Sequence, residues 1–192
     1  MGSPKALLPD GEGRLFLTRL LHTFWMAGVG RLVVVTGGLH GEIVAAVAAG
    51  GPRGATVAFA RNPDPRRGQL SSVITGLDAV DRPGVGGILM APVDVPFVAP
   101  STVRAVMDEW RRTRAPIVRP ARGERHGHPV LFGRETFADL RRADLAGGAR
   151  TVVHAYAPRV VNLEVDDPGA LRDVDTREEY ERALRERVSP RP

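Results

Sequence analysis

Cysteine is absent from the chain, which rules out a disulfide framework, a thiol nucleophile and iron–sulfur ligation. Whatever chemistry occurs must use carboxylates, basic groups, hydroxyls or a metal ion. Aromatic residues make up only 5%, and no helix-turn-helix, RNP-like or zinc-finger pattern accompanies them, so the apparatus that stacks on bases or reads a groove is missing. No apolar run approaches the length of a membrane span, and the first residues, MGSPKALLP, lack a long apolar signal region. The expectation is a cytoplasmic protein that binds neither membrane nor nucleic acid. Lysine is nearly absent too: the chain has 27 basic residues, of which Lys5 is the single lysine. In such an arginine-rich background Lys5 is either a residual surface residue or a compact ammonium that a planar guanidinium cannot replace.

What is present is ordinary for a globular protein. The 192 residues are 43% apolar and 26% charged, enough for one α/β domain over residues 1–192 and too little for two. The net charge of +5 favours anionic partners such as a phosphorylated small molecule.

The hydrophobic pattern alternates between the two secondary-structure periods. Residues 14–28 place Leu17, Leu20, Leu21, Phe24 and Trp25 on one helical face, with Gly28 as a stop. A buried strand at 31–36, a helix over HGEIVAAVAAG, a strand at 55–60, a Pro/Gly/Arg loop at 61–69 and a helix at 70–80 follow. GILMAPVD is a third strand, and STVRAVMDEWRRTR a crossover helix keeping Val103, Val106, Met107 and Trp110 in register. APIVRP, PVLFG, ETFADLRRADL and GGARTVVHAY then suggest a small inserted α+β segment. A strand at 159–167, an acidic loop and a closing helix over REEYERALRERV complete the chain, with 188–192 expected to fray. Strands alternating with crossover helices predict a three-layer, mostly parallel sheet that binds ligands beyond the carboxyl ends of its strands.

Several residues lie where chemistry is possible. Asp94 follows an apolar strand between Pro92 and Pro96, placed either to ligate a hard metal ion or to cap the turn. Asp166, Asp167, Asp173 and Asp175 form a second acidic cluster, open to a metal role or to an ordinary solvated loop with Asp175 or Thr176 as helix cap. Arg61, Arg66, Arg67, Gly68, Ser71 and Ser72 read as an anion site at a helix start or as a basic loop with a serine cap. His126 and His128 have no third ligand at zinc spacing, and no G-x-S-x-G elbow exists for a serine nucleophile.

Seven segments in order resemble the MobA-like nucleotidyltransferase family, and within it the molybdenum-cofactor cytidylyltransferase branch. GSPKALLP resembles the second half of the family's N-terminal signature, so that residues 1–9 are its remnant. VVVTGG resembles the second strand, NPDPRRGQLSSVITGL the Asn-Pro segment, ILMAPVDVPFVAPSTV the metal-carboxylate strand, GHPVLF the GHP motif, and GGAR with DVDTREEY the closing motifs. The resemblance implies a Rossmann-like nucleotidyltransferase fold and transfer of CMP from CTP, rather than GMP from GTP, to a molybdopterin-type phosphate acceptor. It implies that Lys5 contacts nucleotide phosphates, that Asp94 binds Mg²⁺, and that Asp175, with Asp173 as rival, is the second carboxylate. Gly127, His128 and Pro129 would line the acceptor side, and Asn62, Gly68, Ser71 and Ser72 the substrate pocket. A molybdoenzyme or its maturation factor would be the protein partner. Two alternatives stay open: a silent nucleotide- or cofactor-binding homologue, and a transferase with a sugar-phosphate acceptor. The family signature begins with a strand and a Gly-rich loop that precede this chain's first Met. Without them two neighbouring strands are expected to leave an unpaired, apolar seam. The expectation is that the natural protein starts about ten to fifteen residues upstream, or that rearrangement or another subunit fills the gap.

Overall fold

The computed structural model describes residues 4–144 and 146–188. Met1–Ser3 of the expected signature remnant, Leu145 and the expected frayed residues 189–192 lie outside the described residues.

After a 3₁₀ turn at Lys5–Leu7, the chain forms α1 (Phe16–Met26), β1 (Arg31–Thr36), α2 (His40–Gly50), β2 (Thr56–Arg61), α3 (Gln69–Val80) and β3 (Gly87–Met90). It continues as α4 (Pro100–Thr113), β4 (Ile117–Arg122), β5 (Arg125–His126), β6 (Val130–Gly133), α5 (Phe137–Arg142), α6 (Ala149–Ala155), β7 (Val160–Glu164) and α7 (Arg177–Val188). The α/β alternation read from hydrophobic period is thus present. β1 and β2 pair in parallel. β3 and β4 both run antiparallel to β6 between them, and β7 lies parallel to β4. β3, β4 and β7 therefore share one direction, with β6 and the short β5 arm reversed.

Two differences from the sequence reading have physical causes. β4 and β6 do not form an inserted unit: they are the middle of the larger sheet, and all four residues of β6 are buried. Short apolar runs give no sign of which ladder they join. Trp25, expected on the buried face of α1, is 39% exposed. It stands eight positions beyond Leu17, which rotates it roughly 80° from the face centred there.

Strand alternation sorts the core into layers. Val130 and Phe132 of β6 and Ile117 of β4 pack with Leu70, Val73 and Leu77 of α3 and with Leu140 of α5. Leu131 and Val118, one residue out of phase, pack with Val106 of α4 on the other face. Leu32 and Val34 of β1 likewise meet Leu17, Leu20 and Phe24 of α1, while Val35 approaches Gly76 of α3. The period of two thus sends alternate residues to opposite helical layers.

Among the described residues β1 pairs only with β2 and β3 only with β6, in two separate ladders. Between the free edges of β1 and β3 lies a cavity of about 700 Å³, lined from β1 by Leu32–Val35 and from β3 by Ile88–Met90. Its apolar walls come from both strands, and its rim includes Gln69 and Ser72 of α3 and Pro92 and Val93 just before Asp94.

The amino-terminal arm is fastened by a buried carboxylate. Asp10 is 1% exposed; it accepts hydrogen bonds from the backbone N–H groups of Glu12 and Arg14 at 2.8 and 2.9 Å and from Arg19 at 2.9 Å. Burial pushes the Asp10 carboxyl up, but these hydrogen bonds and the Arg19 charge outweigh it and hold the carboxyl below its ordinary value. A lowered folded value means that the ionised group stabilises the fold fully above the ordinary carboxylate range, and that this contribution fades as pH falls through the lowered value. Asp10→Asn is therefore expected to lower the denaturant midpoint at neutral pH, with the deficit narrowing in acid. A deficit that stays constant with pH would mean that shape, not charge, is what Asp10 supplies.

Candidate functional site

The residues on which the sequence reading converged gather in two groups beyond strand ends. Asp94 stands four residues past the end of β3, in a turn closed by Val95 N–H donating to Pro92 O at 3.3 Å. The acidic loop after β7 is drawn to the same place because Val174 N–H donates to Asp94 O at 2.7 Å. Val174 and Ala183 pack with Leu8 and Phe16 in one buried cluster, and the Tyr180 hydroxyl donates to Pro9 O at 2.8 Å. The closing helix thereby seats the first turn of the chain against the acidic loop.

This places Lys5 between two carboxylates from distant segments. Its Nζ donates to Asp94 Oδ2 at 3.3 Å and also to Asp175 Oδ1. The Lys5 and Asp94 side chains are 29% and 26% exposed, so the pair faces solvent on one side only. Burial works to lower the Lys5 pKa, but the Asp175 hydrogen bond and the Asp94 charge outweigh it and raise the value, so Lys5 stays an ammonium at neutral pH.

Exposed Asp173 and half-buried His128 both lie near enough to Asp94 to feel its charge. Burial, then the Asp94 charge, raises the Asp173 carboxyl, with His128 and Lys5 opposing. Burial lowers the His128 imidazole against the opposing charges of Asp173 and Asp94 and a hydrogen bond with the Met90 carbonyl, which leaves a neutral ring at pH 7. Its Nδ1 is buried without a hydrogen-bond partner among the described residues. A buried polar atom of this kind is poised for a partner from outside the chain.

Gly127 has a packing reason of its own. His128 N–H donates to Ala170 O at 2.8 Å, and a Cβ on Gly127 would meet that same oxygen at 2.1 Å. Only a glycine lets the GHP turn reach the backbone that leads into the acidic loop.

The second group is a polar knot after β2. Buried Asn62 donates through Nδ2 to the hydroxyls of Ser71 and Ser72 at 2.8 and 2.9 Å, and its Oδ1 accepts from Asp64 N–H at 3.0 Å. Ser71 donates to Gly68 O at 2.7 Å, and Gly68 adopts φ of 92° at the start of α3. Asn62, Gly68, Ser71 and Ser72 are thus brought together and hold one another. Ser72 also reaches the rim of the large cavity.

Other residues fall elsewhere. Asp167 accepts from Ala99 N–H at 2.9 Å and from Thr102 Oγ1 at 2.6 Å, capping α4. Asp166 pairs with Arg122 at 3.1 Å on the surface. Arg61, Arg66 and Arg67 are exposed, as is His126 on β5. Sequence reasoning passed over Thr36 and His40, whose Oγ1 and Nδ1 lie 2.8 Å apart at the carboxyl end of β1. The T-G-G-x-H run directly after a strand was the available signal.

Among the described residues no three histidine, acidic or thiol side chains close round a single point. A metal ion here would take two carboxylates from the chain and its other ligands from water and substrate oxygens, which suits a hard octahedral ion. The fit is supported by Lys5 itself: a cation already bridges oxygens of Asp94 and Asp175.

No curated protein matches the chain, but solved structures do. Rv0371c from Mycobacterium tuberculosis H37Rv is 32% identical with a TM-score of 0.77, covering 96% of this chain and 90% of that one. Its complex with manganese gives 30% identity and a TM-score of 0.78 over 96% and 93%. A nucleotidyl transferase from Methanothermobacter, Mth528, gives 25% identity and a TM-score of 0.78 over 96% and 85%. The family model described as MobA-like NTP transferase domain matches residues 1–160, and with the strand-end carboxylates in place the chain belongs to the MobA-like NTP transferase family.

Proposed function

We propose that the chain is a Mg²⁺-dependent cytidylyltransferase: a phosphate oxygen of a molybdopterin-type acceptor attacks the α-phosphorus of CTP, the new P–O bond forms, and pyrophosphate leaves. The observation that carries this reading is the pair of carboxylates, Asp94 and Asp175, joined by the chain's single lysine beyond a strand end. Magnesium there would neutralise charge on the phosphoryl group being transferred. A manganese complex of the similar Rv0371c supports divalent-metal binding at this fold.

Asp94 and Asp175 are the metal's protein ligands in this reading, and Lys5 is the cation for the triphosphate. The Asn62, Gly68, Ser71 and Ser72 knot presents a rigid helix start to the substrate. His128 offers a neutral ring to the acceptor side, held by the Gly127–Ala170 contact. Rate enhancement would come from orientation and charge neutralisation by groups already in place. The resemblance of GHPVLF and DVDTREEY supports CTP over GTP.

The test is pyrophosphate release and label transfer from α-labelled CTP, with GTP in parallel, using a molybdopterin acceptor and a sugar phosphate in separate reactions. CMP transfer to molybdopterin that requires Mg²⁺ is the expected result. Transfer to the sugar phosphate alone overturns the acceptor, and Mg·CTP binding without any transfer identifies a silent homologue.

A further inference from the structure

Lys5 does not stand beside the proposed metal seat; it sits in it. Its ammonium hydrogen-bonds Asp94 Oδ2 at 3.3 Å and Asp175 Oδ1, the carboxylates that would ligate the ion. We propose that Lys5 is an internal cation that holds these two carboxylates together in the metal-free protein and is expelled from between them when a divalent ion binds. The inference rests on the reading of Asp94 and Asp175 as metal ligands and adds to it how the site is kept and opened.

Three observations support the exchange. First, the backbone under Lys5 is anchored while its side chain has room to leave. Leu7 N–H donates to Pro4 O at 2.9 Å, Leu8 N–H to Lys5 O at 3.1 Å, and Leu8 is buried beside Phe16 and Val174. The Lys5 side chain keeps 29% of its surface exposed, and its four-carbon stem can swing the charge outward without moving the turn.

Second, the carboxylates need a cation. Asp94 and Asp175 come from segments 81 residues apart in sequence by their numbers and are joined by a shared ammonium and by the Val174–Asp94 backbone bond. Without a positive charge between them, these two carboxylates would bring like charges together. An ammonium satisfies that need before metal arrives and makes the seat available in its final place.

Third, the two cations exclude one another. A divalent ion on the same oxygens would lie within a few ångströms of the ammonium, where repulsion is strong even at the effective dielectric of a protein surface. The displaced ammonium remains tethered at the edge of the site. Lysine occurs nowhere else in the chain, and here a guanidinium would fork across both carboxylates and hold them bidentately, making a poorer leaving cation.

Metal affinity in the absence of nucleotide tests the exchange, because a lysine that served only the triphosphate would leave it unchanged. Mn²⁺ binding to the full chain is measured by calorimetry for the parent, Lys5→Met, Lys5→Arg and Asp94→Asn, with circular dichroism confirming that each is folded. Lys5→Met is expected to bind Mn²⁺ on the order of tenfold more tightly than the parent, Lys5→Arg more weakly, and Asp94→Asn hardly at all. Because lysine occurs once, ¹³Cε-lysine labelling gives one side-chain resonance, which Mg²⁺ should shift in the parent and leave in place in Asp94→Asn. Equal or weaker binding by Lys5→Met, with binding still lost in Asp94→Asn, overturns the exchange and leaves the metal site standing. Mn²⁺ binding that survives Asp94→Asn overturns the metal reading and the exchange with it.

Discussion

Replacing Asp94 with asparagine is expected to reduce Mg²⁺-dependent nucleotidyl transfer by on the order of a thousandfold or more, with little change in the melting temperature. The amide keeps the shape of the carboxylate but not the charge a hard cation requires. The fold does not depend on that charge: the acidic loop is tied to the strand end by the Val174 N–H bond to the Asp94 backbone carbonyl, which the substitution leaves intact. Loss of the Lys5 contact at 3.3 Å costs little, because partly exposed ion pairs contribute about 0–1 kcal/mol. Parallel pyrophosphate-release assays and thermal melts read the two effects separately. Turnover near the parent's rate would remove Asp94 from the metal site.

Gly127→Ala should do the reverse and act on the fold. The added methyl would stand 2.1 Å from Ala170 O, 2.8 Å from the carbonyl carbon and 2.9 Å from a Leu171 methyl. Two of these three atoms are backbone, so no side-chain rotation relieves the contact. The turn must separate from the segment before the acidic loop, at an expected loss of about 1–3 kcal/mol, or several degrees in melting temperature for a domain of this size. Since that contact also sets where His128 and Asp173 stand, activity per folded molecule should fall as well. A stable Gly127→Ala protein with only a raised KM for the acceptor would mean that the glycine serves the substrate and not the packing.

The seam between β1 and β3 bears on both results. The cavity of about 700 Å³ leaves the free edges of two strands facing apolar space, and backbone groups without partners destabilise a fold by about 1–3 kcal/mol each when buried. The strands that border it therefore have less reserve to absorb a second perturbation, and amides along these edges should exchange faster than those in the β4–β7 ladder.

How much of this was legible in the chain differs from residue to residue. The periods of α1 and α4, the strand at β1 and the stop at Gly28 could all be read from local pattern, because burial on one face imposes 3.6 on a helix and 2 on a strand. The absence of cysteine limited the chemistry, and the order of seven short motifs indicated the family. Pairing could not be read. β4 and β6 looked like an appendage because a four-residue apolar run has the same appearance in the middle of a sheet as at its margin, and Trp25 looked buried because the edge of a helical face is set by what packs against it. The acidic cluster divided in the same way: Asp166, Asp167, Asp173 and Asp175 are equivalent as letters, yet Asp167 caps α4 while Asp175 meets Lys5. The sequence by itself determined the elements, their faces and the charges available, since these follow from interactions within a few residues. Only the tertiary structure decided that residue 5 bridges residues 94 and 175, because that meeting depends on the buried cluster of Leu8, Phe16, Val174 and Ala183, a contact between chain ends that no local pattern encodes.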